Sequence, residues 1–405
     1  MRLLVITHYF WPENFRINDL TTELARRGHQ VTVLANQPNY PGGSLFEDYV
    51  RDPAAFARLG AVEIVRVPVI TRGRSRMRLA LNYLSAAASA ALIGAWRLRG
   101  RQFDAILAYQ PSPATTALPA VLLRSLKRAP VAMWVLDLWP QTLQAMGVIR
   151  RGVMLRAIGR MMRFIYDRCD LIMAQSRSFI PEIARLSARR TPVEYLPSWA
   201  ESVFDAKAVT AAPEVPAQPG AFNIMFAGNL GEAQDFPAVL RAADLLRAHA
   251  NIRWLLVGDG SMAAWIREEI ARRGLQDRVL MLGRHPLERM PSFYRHADAL
   301  LMCLRDEPVF ALTIPGKLQG YLAAGIPVVA MLNGEGAAVV ERAACGLTCK
   351  AGDAEGLAAA ILQLATSPPE QLEQMARNAL AISAGEFDRG QLISQVERAL
   401  ESLPR

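Results

Sequence analysis

Residues 222–231, FNIMFAGNLG, decide the fold of the second half of this 405-residue chain. The apolar run 222–227 predicts a buried strand, and Gly228-Asn229-Leu230-Gly231 then turns the chain into a helix that we expect to begin near Asp235. Paired glycines let the backbone approach an anion, and the free N–H groups of the following helix favour a diphosphate. The segment therefore predicts a strand–loop–helix unit whose loop either binds phosphate or is a plain tight turn.

The same alternation of apolar run, loop and amphipathic helix recurs in both halves. The first half has such runs at 3–7, 31–35, 62–67, 105–108, 131–136 and 171–174, and the second at 222–227, 254–257, 279–282, 299–303 and 328–331. Buried strands that alternate with helices indicate parallel sheets with right-handed crossovers. The fold class is therefore α/β, with two Rossmann-like domains.

We expect an N-terminal domain over residues 1–208 and a C-terminal domain over 221–389. The Pro- and Ala-rich stretch 209–220 is the predicted linker, and 390–405 is a helix that we expect to pack back on the first domain. Open α/β sheets bind ligands at the carboxyl ends of their strands, so two facing sheets predict an interdomain cleft.

Two further segments of the second half carry candidate residues. Gly258-Asp259-Gly260 follows the next strand at the same end of the sheet, and His285 lies at a later strand end. Residues 313–325, TIPGKLQGYLAAG, predict a helix with Pro315 in its first turn. Lys317 would then oppose the helix dipole, which favours a diphosphate beside it, or else a solvent-facing lysine.

In the first half, Asp137 ends a buried strand within WVLDLWP. Its carboxylate is predicted to contact a sugar hydroxyl or an oxocarbenium-like transition state, or else to cap a helix near Pro140. The loop 8–18 opens at the same end of the sheet. There Arg16 and Asn18 are candidates for a phosphate or an acceptor, and Glu13 and Asn14 for an acceptor hydroxyl.

Charge is distributed unevenly along the chain. Residues 1–200 carry 27 Lys+Arg against 13 Asp+Glu, whereas residues 201–405 carry 19 against 24. Segment 79–96 has no charge and is flanked by arginines, and 150–163 is also basic and apolar. An interfacial helix on an anionic membrane fits this pattern, and the alternatives are a buried crossover helix or a solvated face. Nucleic acid is not expected, because no aromatic-interleaved basic motif occurs.

The remaining composition points to a reduced, metal-free protein. The four cysteines share no metal-type spacing, and the opening apolar run is too short for a signal peptide, so we expect a cytoplasmic chain at the inner membrane face. No Asp-x-Asp pair occurs, so we expect no metal and no bound cofactor. Helix N-termini and basic side chains would then compensate a diphosphate.

Several segments together resemble the family 4 glycosyltransferases of the GT-B fold, and more narrowly their WbuB-type branch. They are YFWPENFRIND (9–19), RGHQVTVL (27–34), PNYPG (38–42), DLWPQ (137–141), FAGNLGEAQ (226–234), LVGDGS (256–261) and residues 314–328. The resemblance implies a retaining transfer from a nucleotide diphosphate sugar, usually a UDP-sugar, to a lipid-linked acceptor in O-antigen, capsule or exopolysaccharide synthesis.

Carried onto this chain, the resemblance assigns acceptor binding to residues 1–208 and the nucleotide-sugar donor site to residues 221–389. The diphosphate would meet Gly228, Asn229, Gly231, Pro315 and Lys317, and Gly258 and Gly260 would shape the nucleotide pocket. Gln234 stands where a lysine is common. The family's Glu-x7-Glu pattern falls on Leu312 and Gly320, so ribose recognition would pass to Gln319 or Glu335. Alternatives are a non-catalytic nucleotide-sugar-binding partner, a sugar-nucleotide epimerase or a phosphorylase.

Overall fold

The computed structural model describes residues 1–73, 75–149, 151–205 and 209–404. Arg74 and Arg150, which belong to the predicted basic segments, lie outside the described residues. The chain divides into two compact units, Met1–Pro197 with Gly390–Arg405, and Ser198–Arg389.

The first unit contains a sheet of eight strands. They are β1 (Arg2–Thr7), β2 (Gln30–Asn36), β3 (Arg58–Leu59), β4 (Val62–Val67), β5 (Ala105–Gln110), β6 (Val131–Val135), β7 (Leu171–Ala174) and β8 (Val193–Tyr195). Their order in the sheet is β3-β4-β2-β1-β5-β6-β7-β8. Every pairing is parallel except that of the two-residue β3 with β4. The sheet is therefore a doubly wound, Rossmann-like one.

Helices connect these strands. They are α1 (Arg16–Arg26), α2 (Glu47–Arg51), α3 (Arg76–Ser89), α4 (Ala95–Arg97), α5 (Leu118–Lys127), α6 (Gln141–Ala145), α7 (Gly152–Tyr166) and α8 (Phe179–Leu186). A π-helical turn, Ala90–Gly94, joins α3 to α4 in one continuous helix. The connections from β4 to β5, from β5 to β6 and from β6 to β7 all run in the same direction along the sheet. Right-handed crossovers therefore place α3, α5 and α7 on the same face of the sheet.

The second unit contains a parallel sheet of six strands in the order β11-β10-β9-β12-β13-β14. The strands are β9 (Phe222–Ala227), β10 (Ile252–Val257), β11 (Val279–Gly283), β12 (Ala299–Cys303), β13 (Val328–Met331) and β14 (Gly346–Cys349). Its helices are α9 (Phe236–Leu245), α10 (Ala263–Arg273), α11 (Met290–Tyr294), α12 (Pro308–Ala311), α13 (Leu318–Ala323), α14 (Glu335–Ala343), α15 (Ala354–Thr366) and α16 (Pro369–Ala384). The four central strands, β9, β10, β12 and β13, are buried on both faces, which explains their continuous apolar runs.

The last helix, α17 (Arg389–Glu401), belongs to the first unit. Arg27 and His29 each contact the Glu397 carboxylate at 2.7 Å. At the other junction, the described residues 198–205 and 209–220 belong to the second unit, in which Ala212 donates its N–H to the Ser292 carbonyl at 3.0 Å. The boundary thus falls at Pro197, earlier than the predicted 208, because these residues bond to the second unit.

The predicted α/β class with two Rossmann-like sheets is confirmed. The eleven predicted runs all form strands, with bounds that shift by at most two residues at either end. Strands β3, β8 and β14 were not predicted, because they are short and mostly half-exposed and therefore lack a continuous apolar run.

Candidate functional site

Two glycine loops meet at the carboxyl ends of β9 and β10. Gly258 has φ +149°, and a Cβ there would lie 1.8 Å from the Gly228 carbonyl oxygen. Leu230 donates its N–H to Asp259 O, and Met262 donates to Leu230 O, both at 2.9 Å. Gly258 is therefore required by the packing of one loop on the other, so its presence alone does not indicate a ligand.

Gly228 has a different neighbour, the Lys317 side chain. A Cβ on Gly228, whose φ is +137°, would lie 2.4 Å from the Lys317 Cε atom. The Lys317 ammonium lies 3.7 Å from the centroid of the Phe226 ring. Loss of hydration in this position lowers the pKa of Lys317 to about 8. Among the described residues no carboxylate pairs with it, so a cation is held at the glycine loop without a protein anion.

Helix α13 begins later than the sequence predicted. Pro315 precedes the helix and accepts the Leu318 N–H at 2.9 Å, and Lys317 is the N-cap residue rather than part of the first turn. One turn on, the Tyr321 hydroxyl accepts the Ala227 N–H at 3.0 Å, which ties α13 to the end of β9. This bond positions the start of α13, and the absence of a side chain at Gly228 leaves room for the Lys317 side chain.

The other predicted residues of the first loop are engaged with one another. Gln234 Oε1 accepts the Gly231 N–H at 3.1 Å. A Cβ on Gly231 would lie 2.4 Å from the Asn229 side chain, and a Cβ on Gly260 would lie 2.8 Å from it, so the Asn229 amide lies between the two loops. Gln234 therefore stabilises the loop conformation, and the Asn229 side chain packs against Gly231 and Gly260.

Arg305 is a further candidate for the site at the glycine loops, and it was not predicted from the sequence. It follows β12, which neighbours β9, and its N–H donates to the Ala233 carbonyl at 2.9 Å. Its guanidinium also lies 3.5 Å from Glu307. The signal was available, because a basic residue directly after a buried strand lies at the same end of the sheet as the glycine loops.

The structure does not support a ribose contact by Gln319. Its side chain is 1% exposed, and its amide nitrogen, in the orientation that satisfies its neighbours, donates to Gly316 O at 2.9 Å. At Gly320 a Cβ would lie 3.0 Å from the Phe204 ring. The position of the family's second glutamate is thus packed by an aromatic side chain.

His285 and Glu335 lie at the ends of other strands. His285 Nε2 is 2.9 Å from the Leu282 carbonyl oxygen, and its ring centroid is 4.5 Å from that of Phe293. Glu335 is the first residue of α14, directly after the loop that follows β13. Both remain predictions for the donor site.

In the first unit, Glu13 has a structural role instead of the predicted contact with an acceptor. Its carboxylate is buried and accepts N–H bonds from Phe10 at 3.0 Å, Asn39 at 2.9 Å and Tyr40 at 2.8 Å. Burial raises the pKa of Glu13, and these three bonds act against that rise. Glu13 therefore joins its own loop to the loop that follows β2.

The neighbouring loop residues differ in their contacts and exposure. Asn18 accepts the Trp11 N–H at 3.1 Å and donates to Glu13 O at 2.7 Å, so both ends of its amide are used within the loop. Asn14 is exposed, and Arg16 is the first residue of α1. Of the predicted acceptor contacts, Asn14 and Arg16 remain.

Asp137 follows β6, as predicted, but it does not cap the next helix. Its carboxylate accepts the Thr142 hydroxyl at 2.5 Å and the Trp139 Nε1–H at 3.1 Å. Helix α6 has Pro140 as its N-cap and no side-chain capping bond. Burial raises the pKa of the Asp137 carboxyl, and the two hydrogen bonds oppose the rise. Its predicted role toward a sugar stays a prediction.

One group within the described ranges has metal-ligand spacing. His29, Glu397 and Glu401 place ligand atoms within 4.8 Å of one another. The Glu397 carboxylate already accepts from Arg27 and contacts His29, so these residues hold α17 on the first unit. Neither glycine loop belongs to this group.

Two family models match the chain. Residues 14–199 match a glycosyl transferase 4-like domain, and residues 221–367 match the glycosyl transferases group 1. WcaI of Escherichia coli K12, a glycosyl transferase assigned to colanic acid biosynthesis, is 25% identical over 341 residues, 80% of this chain and 82% of its own. N-acetyl-alpha-D-glucosaminyl L-malate synthase of Bacillus anthracis is 24% identical over 60% and 62%.

Solved structures share the fold at low identity. HepE of Anabaena, crystallised with UDP and glucose, superposes with a TM-score of 0.70 over the whole of both chains at 15% identity. The trehalose-6-phosphate enzyme of E. coli, bound with UDP-2-fluoro glucose, gives 0.75 over the whole of both chains at 13% identity. With both family models matched in their expected order, this chain belongs to the family 4 glycosyltransferases of the GT-B fold.

Proposed function

We propose that the protein transfers a sugar from a UDP-sugar to a lipid-linked glycan, with retention of anomeric configuration, during cell-surface polysaccharide synthesis. The observation that supports a nucleotide-sugar donor is that the Lys317 ammonium lies beside Gly228, at the carboxyl end of β9. The polysaccharide role is supported by the names of relatives. These include WcaI and the amylovoran biosynthesis glycosyltransferase AmsK of Erwinia amylovora, which is 26% identical over 144 residues.

The chemistry needs stabilisation of the leaving diphosphate. When the bond between the sugar anomeric carbon and the phosphate oxygen breaks, negative charge develops on the β-phosphate. A fixed cation in a poorly hydrated position stabilises that charge strongly, because it needs no reorganisation. Lys317 meets both conditions, and the backbone N–H groups before α9 add partial positive charge. We therefore propose a metal-independent hexosyl or N-acetylhexosaminyl transfer.

A direct assay tests the proposal. Radiolabelled UDP-, GDP- and ADP-sugars are incubated with polyprenyl diphosphate oligosaccharides, with and without EDTA, and the product anomer is determined by NMR. We expect transfer from a UDP-sugar, unchanged by EDTA. Absence of transfer with every donor by folded protein would overturn the proposal. Conversion of the UDP-sugar without acceptor would instead identify an epimerase.

Matched variants connect the activity to the site. Lys317→Met removes the charge but keeps most of the apolar volume, and Lys350→Met removes an exposed charge from the same unit. We expect the first to lose transfer and the second to retain it. Equal activity of the two variants would remove Lys317 from the mechanism.

A further inference from the structure

One helix among the described residues, Met77–Arg97, is long and apolar enough to span a membrane. The structure attaches this helix to the sheet instead. Asn82 is fully buried and donates to the Ile70 carbonyl at 2.7 Å. Further along, a Cβ on Gly94 would lie 2.8 Å from the Leu34 side chain of β2. Because the helix is anchored at both points, it cannot cross a bilayer while the first unit is folded.

The opposite side of this helix is apolar and exposed. Leu84, Leu92 and Trp96 are 62%, 71% and 62% exposed, and Leu81 on the same side is 41% exposed. Intervals of three, eight and four residues place these four side chains on one helical face. The surfaces of soluble proteins carry scattered apolar side chains, whereas a continuous row of exposed apolar side chains indicates a site of interaction.

Helix α5 extends this surface. Leu122 and Leu126, one turn apart, are 39% and 59% exposed. At the end of α5, the Lys127 ammonium donates to the Leu98 and Arg101 carbonyls, the latter at 3.1 Å, which places that end beside the end of α4. We define the docking face by its six apolar members: Leu81, Leu84, Leu92, Trp96, Leu122 and Leu126.

The positive charge near the docking face favours an anionic partner. In residues 64–136 there are eleven Lys and Arg residues, and Asp104 is the only acidic one. Within the part of the chain that the structure describes, Arg78, Arg99 and Arg128 have no carboxylate partner. The Arg99 guanidinium lies 4.3 Å from the centroid of the Trp96 ring, a pair suited to the boundary between headgroups and acyl chains.

We propose that the docking face lies flat in the headgroup region of an anionic bilayer, with α3, α4 and α5 inserting their leucines and Trp96 while the arginines contact lipid phosphates. The partner is a lipid surface rather than a protein, because an apolar row bordered by cations complements anionic lipid. This attachment deepens the proposed function, since it would bring the protein to a lipid-linked acceptor, but its test does not depend on transfer.

Flotation with vesicles of phosphatidylglycerol and phosphatidylcholine tests the docking face. The triple variant Leu84→Ser, Leu92→Ser, Leu126→Ser should bind at least about tenfold more weakly than the wild type, because each leucine loses its apolar burial. The control is Val50→Ser with Leu245→Ser, which alters side chains that are 60% and 54% exposed but lie outside the face. It should float like the wild type.

The charge component is tested separately. Arg78→Gln with Arg99→Gln, pure phosphatidylcholine vesicles and raised salt should each weaken flotation, because the attraction to anionic lipid is screened or removed. Circular dichroism and UDP-induced thermal shifts show that each variant is folded. Transfer to a water-soluble, short-chain acceptor should be unchanged in the triple variant, which separates a failure of the docking face from a failure of the proposed function.

Three results would overturn the proposal. They are wild-type protein that does not float with anionic vesicles, a folded triple variant that floats like the control, and a wild-type dimer that the triple variant converts to a monomer. The last result would identify the face as an interface between two copies of the chain.

Discussion

The Lys317 ammonium should make UDP binding depend on pH above neutrality. Its pKa is lowered to about 8 in the free protein because it is poorly hydrated beside Phe226. A diphosphate bound next to it favours the charged form and raises that pKa. Binding should therefore take up a proton, and affinity should fall as the pH rises through about 8.

The size of the effect follows from the titration. With a pKa of about 8, the Lys317 side chain is protonated in roughly nine-tenths of the free protein molecules at pH 7 and in roughly one-tenth at pH 9. If the bound anion keeps Lys317 protonated over this range, the dissociation constant of UDP rises about tenfold between these two pH values. At pH 8 binding takes up about half a proton. The terminal phosphate of UDP titrates near pH 6 and contributes little.

Isothermal titration calorimetry at pH 7, 8 and 9, in buffers of different ionisation enthalpy, measures both quantities. Lys317→Met should weaken binding at pH 7 by about 1.5–3 kcal/mol, the usual contribution of a charge-assisted hydrogen bond, and should remove the pH dependence. Lys350→Met, at an exposed position, should keep both the wild-type affinity for UDP and its pH dependence. A wild-type affinity that stays constant from pH 7 to 9, or a Lys317→Met variant that keeps the decline, would refute the argument.

The same lysine should reduce the stability of the free protein. The folded state holds the Lys317 proton less tightly than the unfolded chain, whose lysine pKa is near 10.5, so the penalty develops as the pH falls from 10.5 and is complete below 8. Lys317→Met should therefore melt at a higher temperature than the wild type at pH 7 without UDP. A lower melting temperature would show that the methionine does not fit beside Gly228.

Three further substitutions test the packing around the two sites. Gly228→Ala should lower the melting temperature and weaken UDP binding, because its Cβ would displace the lysine and φ is +137°. Gly316→Ala, with open space around it, is the control, and equal effects would count against the steric account. Glu13→Gln should cost about 1–3 kcal/mol in urea unfolding, because one backbone N–H loses its acceptor. An unchanged midpoint would mean that water replaces the bond. Gly320→Glu should be destabilising unless Phe204→Ala is added, since the ring lies 3.0 Å from the new Cβ, and a double variant no better than the single one would contradict this.

Local patterns were sufficient for the fold because a parallel strand buried on both faces requires a continuous apolar run, and each helix requires its own periodic face. They were also sufficient to identify the loops after β9 and β10 as candidate binding loops, since the carboxyl ends of parallel strands share one edge of a sheet. Short strands such as β14 were missed because half-buried segments lack that run.

The sequence by itself determined two α/β domains, the glycine loops, the basic character of the first half and Lys317 as the lysine to test. Only the tertiary structure decided what these residues do. It engaged Glu13, Asn18 and Gln319 in bonds to nearby backbone, because a buried polar group must find a partner wherever the fold provides one. It also attached one side of Met77–Arg97 to the sheet and left the other exposed. Burial and pairing depend on residues far apart in the chain, and no local pattern contains them.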